Sequence, residues 1–237
     1  DKCVSLAGKY GLKVIMCTPS PTPPAWLTAK HPEILVVTED GVQVKHGMRL
    51  NVNGNHPAYR YYVRRIVEKM ADRYGDNPVI CGWQLDNEPH YEGLYDYSPF
   101  AEKEFRKWLN IKYKNIDDLN KAWGASFWSY AFNNFEQIGL PNKNERNNNP
   151  HARIDFKRYT ADAIAASLRV QAEILRDKIS KNQWITTNYA YYKFLPAVDL
   201  FRSRNDLDFA SHTMDLLSTS LNYPEGKLAH RLGSGME

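Results

Sequence analysis

The apolar run at residues 12–17 (LKVIMC) ends abruptly in Thr-Pro-Ser-Pro-Thr-Pro-Pro, residues 18–24. Four prolines in that segment can neither donate to a sheet ladder nor sit inside a helix, so it is a stiffened loop that follows a buried strand. The construction recurs. Residues 77–87 (NPVICGWQLDN) read as a strand stopped by Glu88-Pro89, 183–190 (QWITTNYA) as a β-branched strand, and 206–212 (DLDFASH) as a fourth. Helical periodicity fills the intervals. Residues 2–10 are closed by Gly11, 57–74 open with Pro57, 98–112 open with Ser98-Pro99 and 116–123 with Asp117-Asp118. A long helix over 152–180 carries Ile154, Ala161, Ile164, Leu168, Ala172 and Leu175 on or near one stripe, after a polar, Asn-rich loop at 139–151. No repeat or linker divides residues 1–237, which are expected to be one domain.

Strand, loop, helix, strand is the rhythm of an α/β protein with parallel strands. Its polar and aromatic residues gather where strands end: Thr18-Pro19, Asp86-Asn87-Glu88, Thr187-Asn188-Tyr189 and His212. A TIM barrel puts its active site on that face, and a doubly wound sheet uses a crevice at the same ends. Neither GxGxxG nor GxxxxGK[ST] occurs, so no nucleotide cofactor is implied and the (β/α)8 barrel is the expected fold. Four strands are half of one. The expectation is a partial barrel, about strands 3 to 6 with their helices.

Several function classes fall away. The net charge is +4 with Lys and Arg interspersed among Asp and Glu, which leaves no basic run to hold nucleic acid. Cys3, Cys17 and Cys81 are odd in number, far apart and without CxxC spacing, which argues against a disulfide framework or a thiolate zinc site. The histidines show no HExxH spacing, and no apolar run reaches transmembrane length. No metal, cofactor or membrane partner is expected, and the compartment is left open. The chain starts without Met, inside a helical pattern, and is expected to be a piece of a longer protein.

Asn87-Glu88 is the pair with the most chemistry. A glycosidase needs one carboxyl that is protonated when the leaving oxygen departs and a second that is ionised opposite it. Burial and neighbouring negative charge keep a carboxyl protonated. A Glu at a strand tip, beside Asp86 and enclosed by Trp83, Tyr91 and other rings, would have that environment, and the adjacent Asn could donate its amide to a sugar hydroxyl. A structural carboxylate at a strand end is the plainer alternative.

The surrounding blocks carry a resemblance. Trp-Gln-Leu-Asp-Asn-Glu-Pro (83–89) resembles the fourth-strand motif of the glycosidase clan whose acid/base is the Glu of an Asn-Glu pair. In order, TPSPTPPAWL (18–27), HPEIL (31–35), DG (40–41), HGMRLNVNGNHPAYR (46–60) and TTNY (186–189) resemble glycoside hydrolase family 42 β-galactosidases. The resemblance implies a retaining β-galactosidase acting on terminal β-D-galactosides, with Glu88 as general acid/base, Asn87 as a sugar contact and Arg49 as a substrate-binding residue. Trp26 is either a pocket wall or a buried ring in the Pro-rich loop. Family members often trimerise, so a homotrimer is implied. Some bind zinc through a Cys cluster near the acid/base loop. This chain has no Cys around Gly47 or over 91–96, so that metal should be absent.

The family's nucleophile is a Glu after the seventh strand, in a Met-Glu-x-x-Pro-Gly setting. Glu237, in the terminal GSGME, fits superficially. Its approach, LAHRLGSGME, bears Gly and charge where an apolar strand is needed, so the nucleophile is expected beyond residue 237 and residues 1–237 alone are expected to be inactive. Asp208, His212 and Asp215, around the last strand, are weaker polar candidates. Two other readings remain: a glycosidase of the same clan acting on mannan, xylan or β-glucan, and a carbohydrate-binding barrel without turnover.

Overall fold

A computed structural model describes residues 1–47, 49–91, 95–143, 149–190 and 198–213. Helix α1 (Lys2–Lys9) is closed by Gly11, whose φ of +71° turns the chain so that the Leu12 N–H reaches the Ala7 carbonyl at 2.9 Å. Strand β1 (Val14–Cys17) follows, and residues 18–56 form a long excursion that contains helix α2 (Ala25–Lys30). Helix α3 (Pro57–Tyr74) leads to β2 (Ile80–Gln84). Three helices, α4 (Pro99–Tyr113), α5 (Ile116–Ala122) and α6 (Pro150–Lys178), separate β2 from β3 (Trp184–Thr186), β4 (Asn188–Ala190) and β5 (Ser211–Thr213). Among the described residues no helix is long and apolar enough to cross a membrane.

The pairing is parallel throughout: β1 with β2, β2 with β3, and β4 with β5. β3 and β4 are one extended run broken at Thr187. Its hydroxyl donates to the Leu85 carbonyl at 2.6 Å, while its own carbonyl accepts the Ser211 N–H at 3.1 Å. The run thus changes neighbour, from β2 to β5. Strands therefore lie side by side in the order of the sequence, with helices between them. A doubly wound sheet reverses its order midway, whereas a barrel does not, so this is the arc of a barrel.

Two expected strands are shorter than their patterns. The run 77–87 gives only Ile80–Gln84, because Asp86 takes a left-handed φ of +56° and leaves the extended region. In 206–212 only the end of the run is extended. Asp206 closes a turn onto the Ser203 carbonyl, and Asp208 binds Ile185 through both its N–H and its carboxylate.

The main core lies between the sheet and the two long helices. Val63, Val67 and Ala71 of α3 meet Leu168, Ala172 and Leu175 of α6 over Trp83, Leu85 and Ile185. Trp83 is fully buried, and its indole N–H donates to Gln183 Oε1 at 2.8 Å. Gly82 lies beside Trp184 in the ladder, and a Cβ there would stand 2.2 Å from the Trp184 ring. Gly82→Ala should therefore overpack this crossing and cost about 1–3 kcal/mol, read as a lowered denaturant midpoint of the full-length protein with an unchanged slope.

A second core joins α4, α5 and the first half of α6 through Phe105, Leu109, Leu119, Trp123, Phe156 and Tyr159. Here the expected stripe on α6 is corrected. Ile154 is 49% exposed and Asp155 turns inward instead, because polar partners wait for it there.

Candidate active site

The tip of β2 is built from two residues in unfavourable backbone conformations. Asp86 and Glu88 both have positive φ, 56° and 50°, which costs a non-glycine residue roughly 1–2 kcal/mol. The neighbouring strand ends hold this turn. Thr18, just after β1, accepts the Asp86 N–H at 2.8 Å, and Ser20 donates to Asp86 Oδ2 at 2.6 Å. Asp86 Oδ1 takes the Asn87 N–H at 2.7 Å, and the Glu88 N–H reaches the Asn188 carbonyl of β4 at 3.1 Å. Burial pushes the Asp86 carboxyl above its ordinary range. The Ser20 and Asn87 bonds and the nearby charges of His90 and Arg49 oppose that shift. Asp86 is thus the internal anchor of the turn, and Glu88 is what the turn presents.

Glu88 is 5% exposed, and Arg49 Nη2 donates to its Oε2 at 2.8 Å. Arg49 arrives from the long excursion after β1, which is pinned just after it. Leu50 (φ +60°) donates its N–H to the Pro21 carbonyl at 2.9 Å, and Asn53 donates to the Ile34 carbonyl at 2.8 Å. Leu50 and Val52 are buried and face the core, leaving the half-buried Arg49 to reach across. A buried carboxylate, Asp96, ties this excursion to the segment after Glu88. It accepts from the Val37 N–H (3.0 Å), Asn53 Nδ2 (2.7 Å), and the Ser98 N–H and hydroxyl (2.9 and 2.8 Å).

On the other flank, Asn87 Oδ1 accepts from Asn188 Nδ2 at 3.1 Å. The structure therefore brings Glu88, Asn87 and Arg49 together. Sequence reasoning assigned no role to Ser20 or Asp96, and saw Thr18 and Asn188 only as polar strand ends. Their positions just past β1 and β3 were the available signal.

Other expectations fare differently. Trp83 and Tyr91 are not a cage built for Glu88: Trp83 belongs to the main core, and Tyr91 packs with Val36 and Ile164. Trp26 is neither buried nor beside Glu88. It is 56% exposed and edges against Tyr62, on a groove of about 470 Å³ lined also by Pro23, Pro24 and Ile66. Asp208 is spent on Ile185 and on an ion pair with Arg176 at 2.8 Å. His212 packs near Tyr189, and burial lowers its pKa. Asp215 and Glu237 lie outside the described residues. Among the described residues no group of three His, Cys, Asp or Glu is placed to hold a metal.

Sequential parallel strands with their polar tips gathered at the C-terminal ends define a (β/α)8-barrel protein, present here as an arc. The chain belongs to glycoside hydrolase family 42, whose model, described as beta-galactosidase, matches residues 1–231. It is 37% identical over 212 residues to the beta-galactosidase BgaH of Haloferax lucentense, covering 89% of this chain and 31% of that protein. It is 38% identical to BgaA of a Thermus species, covering 89% and 32%. The crystal structure of the beta-galactosidase from the psychrophilic Marinomonas ef1 superposes with a TM-score of 0.92 at 34% identity, over 100% of this chain and 38% of that one. The chain thus spans about a third of the length of its curated relatives.

Proposed function

We propose that the full-length protein is a retaining β-galactosidase that removes terminal β-D-galactosyl units, and that residues 1–237 are the part of its catalytic barrel that carries the acid/base. The observation behind this is the buried Glu88, paired with Arg49 beside Asn87 at the C-terminal end of β2. In the first step the Glu88 proton goes to the glycosidic oxygen as the C1–O bond breaks, and a second Glu bonds to C1. In the second step Glu88 takes a proton from water, whose oxygen displaces that Glu and releases galactose. Retention requires the two carboxyls about 5–5.5 Å apart. The second carboxyl is expected beyond residue 237. Arg49, with several N–H donors in a fixed plane, can hold Glu88 with one edge and a sugar oxygen with the other.

The test is a panel of nitrophenyl glycosides given to the full-length protein, with NMR identifying the first anomer released. Turnover of the β-galactoside with β-galactose appearing first is the expected result. An α-anomer appearing first would sink the double displacement. Turnover confined to the mannoside, xyloside or glucoside would make this another glycosidase of the clan, and binding without turnover a carbohydrate-binding barrel.

A further inference from the structure

A side-chain amide is useful to a substrate only if the correct end faces it. Asn87 has one NH2 and one carbonyl oxygen, nearly identical in shape and opposite in hydrogen-bonding sense. What fixes its direction lies one strand away, in a relay that starts from groups whose sense cannot change.

The first fixed group is the Glu88 backbone N–H, a donor only. It is shared between two oxygens of Asn188, the backbone carbonyl at 3.1 Å and the side-chain Oδ1 at 3.2 Å. The second is the Asp86 carbonyl, an acceptor only. It takes Gln84 Nε2 at 3.2 Å, so the Gln84 NH2 points that way, and the same nitrogen donates to Asn188 Oδ1 at 2.9 Å. Both constraints demand oxygen on this side of Asn188. Its Nδ2 must then face outward, where it donates to Thr213 Oγ1 at 2.8 Å and to Asn87 at 3.1 Å. The Asn87 atom that receives this donor must be oxygen, which turns the Asn87 NH2 away from Asn188.

We propose that Asn188, locked by Gln84 and the Glu88 N–H, is a positioning residue that holds the Asn87 amide with its NH2 aimed at the sugar. This rests on the galactosidase reading above and deepens it. The residues come from the tips of three successive strand positions, β2, β4 and β5, so the barrel's own order assembles the relay. An Asn87 free to turn would present a carbonyl to a sugar hydroxyl part of the time and lose the donor. A hydrogen bond to the 2-hydroxyl strengthens in the oxocarbenium-like transition state, so a fixed donor there acts on the rate of the chemical step.

Asn188→Asp tests this in the full-length protein. The carboxylate keeps an oxygen for Glu88 and Gln84 but has no N–H for Asn87, so the Asn87 amide turns its NH2 inward. Gln84→Glu is a second variant. Its carboxylate draws the Asn188 NH2 toward itself, which reverses the relay from the other end. The readout is kcat/KM on nitrophenyl β-galactoside and on its 2-deoxy analogue. Either variant should lose about 10²-fold on the first, the typical cost of one preorganised donor, and far less on the second, so that discrimination for the 2-hydroxyl collapses. In an Asn87→Ala background, Asn188→Asp should alter that discrimination by less than about twofold, because residues acting through one another are not additive. Equal losses on both substrates, or additivity with Asn87→Ala, would overturn the role of Asn188 alone. An unmodified protein that is inactive on the galactoside would overturn the functional reading, and this one with it.

Discussion

On the proposed mechanism, Glu88→Gln should lower hydrolysis of an alkyl β-galactoside by about 10²–10⁴-fold, the range a positioned general acid contributes, and should leave the folded protein intact. The amide keeps the shape of the side chain and retains an oxygen for Arg49 Nη2, now at 2.8 Å, so no buried donor is orphaned. What disappears is the proton. That loss has a signature a structural role would not produce. Nitrophenolate departs without protonation, so formation of the glycosyl-enzyme should survive on the nitrophenyl substrate. Its breakdown, which the proposed mechanism routes through Glu88 as base, should not. The covalent intermediate then accumulates, and KM falls together with kcat. Azide attacks without needing a base and should restore turnover, giving a β-galactosyl azide. A variant with unchanged rates would remove Glu88 from the site, and a loss without azide rescue would remove it from the acid/base role.

Glu88 was legible in the sequence because its signal is local: an apolar run stopped by carboxylates and proline, with blocks in recognisable order around it. Arg49 was legible only through those blocks. Nothing in its own neighbourhood says that it crosses 39 positions to meet Glu88, since its delivery depends on the Leu50 turn and on a loop folded back against Pro21 and Ile34. The long helices α3 and α6 and their faces were readable from periodicity, except at Ile154. There, period alone favours burying the isoleucine, but specific hydrogen-bond donors take the neighbouring aspartate inward. The last strand was misplaced because 206–209 is apolar enough to be extended, yet Asp208 bonds Ile185 instead. Asp96 and Ser20 were invisible for a common reason. Each works by joining segments far apart in sequence, and a lone Asp or Ser in a loop carries no trace of such a partner.

Asp155→Ala should be among the most damaging substitutions away from the site, costing about 3–5 kcal/mol, because it removes one partner of a buried ion pair. Asp155 is 2% exposed on α6 and gathers four donors. They are Lys112, the Tyr113 hydroxyl at 2.5 Å, the Trp123 indole N–H at 3.0 Å and Arg158 at 3.2 Å. Burial by itself would raise this carboxyl. The bonds from Lys112, Tyr113 and Trp123 and the charge of Lys112 outweigh it, and hold the carboxyl below its ordinary range. The sign of the pH dependence follows. A carboxyl depressed in the folded state stabilises fully above its unfolded pKa of about 3.9, and that stabilisation is lost as pH falls through the lower folded value. The gap in denaturant midpoint between the parent and Asp155→Asn should therefore be widest near neutral pH and narrow below about pH 4. Parallel curves down to pH 3 would contradict the assigned charge state. The damage should also reach the site. Phe156, next to Asp155, stacks on Tyr95 with centroids 5.1 Å apart and meets Tyr97 at 5.4 Å. Those two tyrosines flank Asp96, which binds the excursion bearing Arg49. Loosening α6 at Asp155 should therefore slacken the Arg49 side of the Arg49–Glu88 pair, and the variant should lose activity at temperatures where its circular dichroism is still native.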